Sequence, residues 1–219
     1  MTIQFFGHPF SSYCWKVLIA LHENATAFDW RPLGPDQPGN NAEFARLWPL
    51  GKFPLIVDGD AVVGESSAII EYLHAFHPGP AKLIPDDPRQ AVQARMLDRV
   101  FDNFVINAMN VSVANKLRPE GQADAYGVAQ SREALHAAYR WLEIALPAGD
   151  WAIGAPFTIA DCAAAPSLFY ADWVEQIPEA LTRLRAYRAR LLARPSVARV
   201  VDAARPYRPY FPLGAPDRD

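Results

Sequence analysis

The first 23 residues combine a strand pattern, a tight loop and a helix pattern, and this combination constrains the fold of the chain more than any other segment. The β-type run Thr2–Phe6 passes through Gly7-His8-Pro9 into Ser11 and Ser12, and an apolar helical pattern follows over Cys14–Glu23. Serine caps the free N–H groups of a helix, and those groups and the helix dipole favour an anion. The paired serines therefore indicate either simple caps or a helix N-terminus that also holds a thiolate.

Size, charge and cysteine content limit the class of protein. The chain has 219 residues, which allows two domains. Its 21 basic and 24 acidic residues give a net charge of -3, which disfavours a nucleic-acid partner. No apolar run reaches the ~18 residues of a membrane span, and the N-terminus lacks a secretory signal pattern. Cys14 and Cys162 do not resemble a disulfide framework and no His/Cys cluster has metal-ligand spacing, so we expect a cytoplasmic protein without a metal or membrane contact.

The first third of the chain alternates between strand and helix patterns. In the helix Cys14–Glu23, Val17, Leu18 and Leu21 mark one buried face. A strand is then expected over Ala27–Pro32, a loop over Gly34–Asn41 and a helical turn over Ala42–Leu47. A hairpin of Leu55–Asp58 with Ala61–Gly64 and a helix over Ser66–Phe76 are expected to follow. The order βαβαββα predicts a compact α/β domain over residues 1–77.

The rest of the chain has helical patterns only. A proline-rich break predicts a linker over residues 78–88, and residues 89–219 predict an all-helical domain. Helices are expected from Arg89 to about Asn115, over Ala125–Leu146, and from near Thr158, Glu179 and Ser196. From about residue 206 the prolines disfavour a regular helix, so the tail Pro206–Pro212 is expected to pack over the surface as an extended segment.

Three further motifs indicate a binding site and a folding element. Pro54 enters the hairpin strand, and a cis Phe53–Pro54 bond would present the Phe53 backbone to an extended peptide. Glu65 precedes Ser66, the expected N-cap, and the two offer partners for the ammonium and carboxylate groups of a zwitterion. Thr158-Ile159-Ala160-Asp161 has capping-box spacing, which predicts a structural role for its aspartate.

In this order and spacing, the four segments resemble the soluble glutathione transferase family over nearly the whole chain. Ser11-Ser12-Tyr13-Cys14-Trp15-Lys16-Val17 is similar to the zeta-class pattern S-S-C-x-W-R-V, and Glu65–Leu73 is close to the glutathione-binding signature. Tyr13, Lys16, Phe53 and Glu65 depart from the zeta-class residues. The resemblance implies a thioredoxin-like N-terminal domain with a cis-proline and an all-helical C-terminal domain. It also implies a homodimer in which the first helix of the helical domain faces the partner's N-terminal domain.

The resemblance further implies a glutathione S-transferase, with glutathione as co-substrate, that activates the thiol for attack on a small hydrophobic electrophile. Ser11, with Ser12 beside it, would stabilise the thiolate. The implied glutathione-binding residues are Lys52, Phe53, Pro54, Glu65, Ser66 and Asn110. The electrophile is expected near Phe10, Tyr13, Phe101, Phe104, Val105 and Tyr207, although such residues more often belong to a core.

Three alternatives share the same resemblance. They are a glutathione-dependent isomerase similar to maleylacetoacetate isomerase, a disulfide reductase, and a non-catalytic interaction module on the same fold. Redox chemistry usually needs a nucleophilic cysteine, whereas Ser11 occupies the first position of the C-x-x-C-like slot and Cys14 lies one turn into the helix. Ser11 and the Glu65-Ser66 pair argue against the interaction module.

Overall fold

The computed structural model describes residues 2–219, and the N-terminal part is a four-stranded mixed sheet with three helices. The sheet order is β2-β1-β3-β4, in which β1 and β2 are parallel and the other pairs are antiparallel. The strands are β1 (Ile3–Gly7), β2 (Phe28–Pro32), β3 (Leu55–Asp58) and β4 (Ala61–Gly64). The helices are α1 (Ser12–Glu23), α2 (Pro38–Leu47) and α3 (Ser66–Phe76). This is the predicted βαβαββα order of a thioredoxin-like domain.

Every named element after α3 is helical, as the sequence predicts. These elements are α4 (Pro88–Val100), a π-helical segment (Phe101–Ile106), α5 (Asn107–Lys116), α6 (Ala125–Ala145), α7 (Ile159–Val174), α8 (Thr182–Ala193), α9 (Pro195–Ala204) and a 3-10 helix (Arg205–Tyr210). Within residues 2–219, none of the helices has the length and apolar character needed to cross a bilayer.

Three of the predicted elements differ in the structure. Helix α2 begins at Pro38, inside the predicted loop, because the fixed φ of proline suits the first position of a helix. The predicted helix from Arg89 contains the π-helical segment, which periodicity at 3.6 residues does not anticipate. The tail forms a 3-10 helix where an extended segment was expected, since the φ of proline is also compatible with a short 3-10 turn.

Helix α1 is the central element of the fold. All eight residues Cys14–Leu21 are buried, so the prediction of a single buried face is wrong. The reason is that α1 packs between α3 on one side and α7 and α9 of the helical part on the other. Trp15 shows this docking, because its ring lies 4.9 Å from that of Phe169 and 5.1 Å from that of Tyr170. A helix covered on all sides is apolar all round, and the buried stretch Cys14–Leu21 has one charged exception.

That exception is Lys16, which forms a buried ion cluster between the two parts of the chain. Its Nζ atom lies 2.5 Å from Asp98 Oδ1 and 2.7 Å from Asp102 Oδ2, and it donates to Ser67 Oγ at 2.7 Å. The Arg99 guanidinium pairs with the same two carboxylates at 2.6 and 2.7 Å. Two cations therefore balance two anions, which is the condition under which buried charges are tolerated.

The Asp161 carboxylate anchors α7 at its N-terminus. It accepts hydrogen bonds from the backbone N–H groups of Ala152 and Thr158, both at 2.8 Å, and from the Tyr187 hydroxyl at 2.7 Å. With Thr158 it completes the capping box. The prediction that Asp161 is a folding element is confirmed, because its oxygens are committed to neighbouring groups inside the core.

We expect Lys16→Met to lower the free energy of unfolding by roughly 3–5 kcal/mol, because it leaves Asp98 and Asp102 buried with one cation fewer. Urea unfolding followed by circular dichroism measures this change. Lys82→Met is the matched control, since Lys82 pairs with Asp86 on the surface and should change stability little. Equal effects of the two substitutions would contradict the structural role of the cluster.

Candidate functional site

The N-terminus of α1 is arranged to hold an anion. Ser11 is the N-cap residue, its Oγ accepts the N–H of Cys14 at 3.3 Å, and its own N–H donates to His8 O at 3.1 Å. The hydroxyl proton of Ser11 is therefore still available to donate to a ligand. Ser12 is the first helical residue and is half-buried. No acidic residue lies in the first turn, so the positive end of the helix dipole is not neutralised within α1.

The two cysteines are not placed as nucleophiles. Cys14 is fully buried, its Sγ accepts the N–H of His8 at 3.4 Å, and burial raises the pKa of its thiol to about 12. Burial also raises the pKa of the Cys162 thiol. Since the thiolate is the reactive form of cysteine, neither side chain is suited to redox chemistry at neutral pH. This disfavours the disulfide-reductase alternative.

A polar cavity of about 240 Å³ lies between the cis-proline loop, the start of α3 and the π-helical segment. Its lining residues are Tyr13, Lys52, Phe53, Pro54, Glu65, Ser66, Arg99, Asp102 and Asn103. The Phe53–Pro54 bond is cis, as the family resemblance implies. All the residues implied to bind glutathione, except Asn110, meet at this cavity.

Glu65 holds a backbone conformation that non-glycine residues seldom adopt. Its φ is 63° and its ψ is 114°, and such conformations cost on the order of 1–3 kcal/mol. Glu65 is the N-cap of α3 and Ser66 is the first helical residue, so the prediction of Ser66 as the N-cap is wrong. The turn brings a carboxylate, a hydroxyl and free helix N–H groups to one cavity. With Lys52 and Arg99 nearby, the cavity can accept both charges of a zwitterion.

The π-helical segment changes which side chains reach the cavities. Phe101 and Val105 are fully buried in the core, so their predicted place in an electrophile pocket is wrong. Phe104 is 61% exposed and lies on a separate groove, so its predicted place is also wrong. The wider turn instead directs Asp102 and Asn103 to the polar cavity. Sequence reasoning missed Arg99 and Asp102, although their spacing of three residues on a helix was a usable signal.

A second cavity, here called the serine cavity, has a volume of about 250 Å³ and contains both serines. Its other lining residues are Phe10, Tyr13, Met109, Asn110, Val113, Tyr170, Tyr210, Phe211 and Pro212. Asn110 therefore lies here and not on the polar cavity. Tyr13 lines both cavities, and its hydroxyl donates to Asn107 Oδ1 at 3.4 Å. Burial, with Asp102 nearby, raises the pKa of Tyr13 to about 12, so its hydroxyl stays protonated.

A third cavity, here called the His8 cavity, is larger, with a volume of about 700 Å³. It lies between the loop after β1, the loop after β2 and the 3-10 helix, and it includes Tyr207. Tyr210 lines both this cavity and the serine cavity, so the two adjoin. Sequence reasoning missed His8, Trp30 and Tyr210, because their meeting depends on how the tail folds back.

Among residues 2–219 there is no group of three or more His, Cys, Asp or Glu side chains that could hold a metal ion.

Comparison with known proteins identifies relatives of both parts of the chain. Residues 5–81 match the family model "Glutathione S-transferase, N-terminal domain", and residues 125–190 match "Glutathione S-transferase, C-terminal domain". A probable maleylacetoacetate isomerase of Vibrio cholerae is 29% identical, over 94% of this chain and 98% of its own length. FtsZ-localized protein A of Caulobacter vibrioides is 32% identical, over 62% of this chain and 63% of its own length.

Solved structures show the same similarity. A glutathione S-transferase from Methylobacterium radiotolerans, solved in complex with glutathione sulfonate, superposes with a TM-score of 0.79. It is 27% identical in sequence, and the match covers 92% of this chain and 95% of that one.

We expect both cysteines of the native protein to resist alkylation by iodoacetamide at pH 8, because burial keeps the thiols protonated and covered. Mass spectrometry should show two modifications only after guanidinium is added. Ser12→Cys is the matched control, since a thiol at the half-buried first position of α1 should label readily. Labelling of native Cys14 as fast as the introduced thiol would contradict this interpretation.

Proposed function

Because the chain belongs to the glutathione S-transferase family through both of its domains, we propose that it is a glutathione transferase in which Ser11 stabilises the glutathione thiolate. The observation that carries this assignment is the N-cap geometry of Ser11. Its oxygen accepts the Cys14 N–H, while none of the described residues 2–219 accepts a hydrogen bond from its proton. That proton lies at the positive end of α1, next to cavities that belong to both domains. Ser12 is the lesser candidate for the same role.

We propose that glutathione binds with its γ-glutamyl end in the polar cavity, on the glutathione-binding domain of residues 1–77. Glu65 would take the ammonium group, and Ser66 with the N–H groups of α3 would take the carboxylate. Lys52 adds a positive charge at the same cavity, and the Phe53–Pro54 loop lies alongside. Asn110 lines the serine cavity, so we expect it to contact the sulfur end of the tripeptide.

The proposed chemistry is activation of the thiol followed by attack on carbon. A free thiol has a pKa of about 8.5, and lowering it by about two units needs ~2.7 kcal/mol of preferential thiolate stabilisation. A hydroxyl hydrogen bond to an anion contributes about 1.5–3 kcal/mol, and a helix N-terminus adds about 0.3–1 kcal/mol. The sum of these two contributions spans the ~2.7 kcal/mol that is needed. The thiol proton leaves to solvent, a sulfur lone pair forms the C–S bond, and the leaving group departs with its electron pair.

Two of the alternatives are each supported by similarity to a known protein. The similarity to a probable maleylacetoacetate isomerase favours a glutathione-dependent isomerase, which would use the same thiolate but consume no glutathione. The similarity to FtsZ-localized protein A favours an interaction module. Measuring glutathione consumption separates transfer from isomerisation, and absence of glutathione binding by calorimetry would favour the interaction module. Either enzyme fits the reducing cytoplasm that we propose as its location.

We also propose a homodimer. An apolar groove lies between α4 and α6, lined by Val100, Phe104, Ala134, Ala137, Ala138 and Trp141. Phe104 on this groove is 61% exposed, and Leu50 on the N-terminal domain is 72% exposed. If the helical domain faces the partner's N-terminal domain, the two-fold symmetry of a dimer makes that contact reciprocal, and we propose that each groove receives Leu50 of the partner subunit. Burying both surfaces would remove two exposed apolar patches.

For the thiolate, we expect Ser11→Ala to raise the apparent pKa of bound glutathione by about one to two units, a loss of ~1.4–2.7 kcal/mol of thiolate stabilisation. Ultraviolet absorbance of the thiolate as a function of pH measures it. Ser12→Ala should raise that pKa less, and Cys14→Ala should change it little. Loss of turnover in Cys14→Ala but not in Ser11→Ala would overturn the assignment in favour of thiol redox chemistry.

For the dimer, sedimentation at micromolar concentration should give about twice the 24.3 kDa of one chain. Phe104→Glu and Leu50→Asp should each shift the population toward monomer, because each introduces an unpaired charge into the proposed interface. Leu213→Asp, in the exposed tail, is the control and should leave the mass unchanged. A wild-type monomer would refute the proposal.

A further inference from the structure

We propose that His8 is a catalytic residue for one class of electrophile: its Nε2–H group binds the carbonyl oxygen of an uncharged α,β-unsaturated carbonyl compound held in the His8 cavity. The proposal rests on the proposed function, since it needs the glutathione thiolate at Ser11. It adds a substrate class and an electrophile-binding group, neither of which follows from thiol activation.

The hydrogen bonds of His8 define its tautomer. The N–H of Phe10 donates to His8 Nδ1 at 3.1 Å, so this nitrogen carries the lone pair and the proton of the neutral ring lies on Nε2. Partial burial lowers the pKa of His8, although Asp36 opposes that shift, and the ring is neutral at pH 7. Within residues 2–219, the only hydrogen bond of the His8 ring is the one to Nδ1, so Nε2–H is left for a ligand.

The position of His8 relative to the sulfur follows from its loop. His8 O accepts the N–H of Ser11 at 3.1 Å, and the N–H of His8 donates to Cys14 Sγ at 3.4 Å. The same tight turn therefore carries the imidazole and the serine that would hold the thiolate. The His8 cavity adjoins the serine cavity at Tyr210. An electrophile in the His8 cavity would lie beside the sulfur with its oxygen toward the imidazole.

The walls of the cavity select the electrophile. Trp30, Tyr207 and Tyr210 provide flat aromatic surfaces, Leu33 adds an aliphatic one, and the ring of Tyr207 meets that of His8 edge-on at 4.8 Å. Of the described residues that line the cavity, Asp36 is the acidic one and none is lysine or arginine. A carboxylate ligand would meet a like charge without a compensating cation. The cavity therefore suits an uncharged, flat molecule with one hydrogen-bond acceptor.

The reaction is an addition in which atoms and electrons balance. The thiolate forms a C–S bond to the β-carbon, and the π electrons of the C=C bond move toward the carbonyl oxygen to give an enolate. His8 Nε2–H hydrogen-bonds this oxygen without giving up its proton, in the manner of an oxyanion-hole donor. The enolate then re-forms the carbonyl while its α-carbon takes a proton from water. The proton that the thiol released to solvent neutralises the hydroxide that this water leaves behind.

The test compares two probes at saturating glutathione. Benzylideneacetone develops charge on a carbonyl oxygen during attack, whereas benzyl chloride undergoes displacement with no oxygen to stabilise. We expect His8→Phe, which keeps an aromatic ring but removes the donor, to lower kcat/KM for benzylideneacetone by about 100-fold or more. The rate with benzyl chloride and the thiolate absorbance should change less than about threefold, the scatter expected from small repacking. His8→Gln, which retains an N–H donor, should recover part of the loss.

Specificity gives a second readout. Asp36→Asn should raise the rate with the para-carboxylate of benzylideneacetone more than the rate with benzylideneacetone itself, because the like charge is removed. If His8→Phe and His8→Gln each lower the rates with benzylideneacetone and benzyl chloride by equal factors, the proposal is overturned. An unchanged rate with benzylideneacetone in His8→Phe would also overturn it. A wild-type protein without a glutathione thiolate refutes the proposed function instead. A wild-type protein with the thiolate that turns over only benzyl chloride refutes the role of His8 alone.

Discussion

The buried ion cluster around Lys16 is the interaction on which the rest of the structure depends. It joins α1 to the start of α3 and to α4 and the π-helical segment, so it links the two domains at one point. Buried charges tolerate little geometric error, because a displaced partner leaves an unpaired charge in a low-dielectric interior. The positions of Lys16, Asp98 and Asp102 therefore restrict how the domains can dock. Arg99 and Asp102 also line the polar cavity, so domain docking and the shape of the binding site are coupled.

The two domains contribute different kinds of side chain to the site. The N-terminal domain provides polar groups at two helix N-termini, Ser11 at α1 and Ser66 at α3. The helical domain and its tail provide aromatic walls, among them Tyr170 and Tyr210. Neither domain alone encloses a cavity around the proposed thiolate. The polar groups proposed to bind glutathione and the apolar walls proposed to bind an electrophile therefore meet where α1 is buried between the two domains.

Departures from regular backbone occur at the site. Glu65 adopts a positive φ at the edge of the polar cavity, and the π-helical segment brings Asp102 and Asn103 to the same cavity. Both features carry a local cost. They persist because the core around them is well packed, with Phe101 and Val105 fully buried behind the cavity. Local preference and tertiary structure disagree where binding groups must face a ligand, which is where such conflicts are expected in natural proteins.

The sequence by itself determined the elements whose signals are local. The strand–loop–helix with Ser11 as cap, the hairpin around Gly59, the capping box at Asp161 and the change from α/β to all-helical patterns were all readable, because each depends on residues close together in the chain. Tertiary structure alone decided the rest. The burial of Cys14–Leu21 on every side of α1, the inward turn of Phe101 and Val105, and the meeting of His8 with Tyr207 and Tyr210 each depend on residues from distant segments. Hydrophobic periodicity indicates which side of a helix or strand is apolar, but it does not indicate which other elements cover that side. The directions of side chains within a π-helical turn depend on the packing that stabilises the turn.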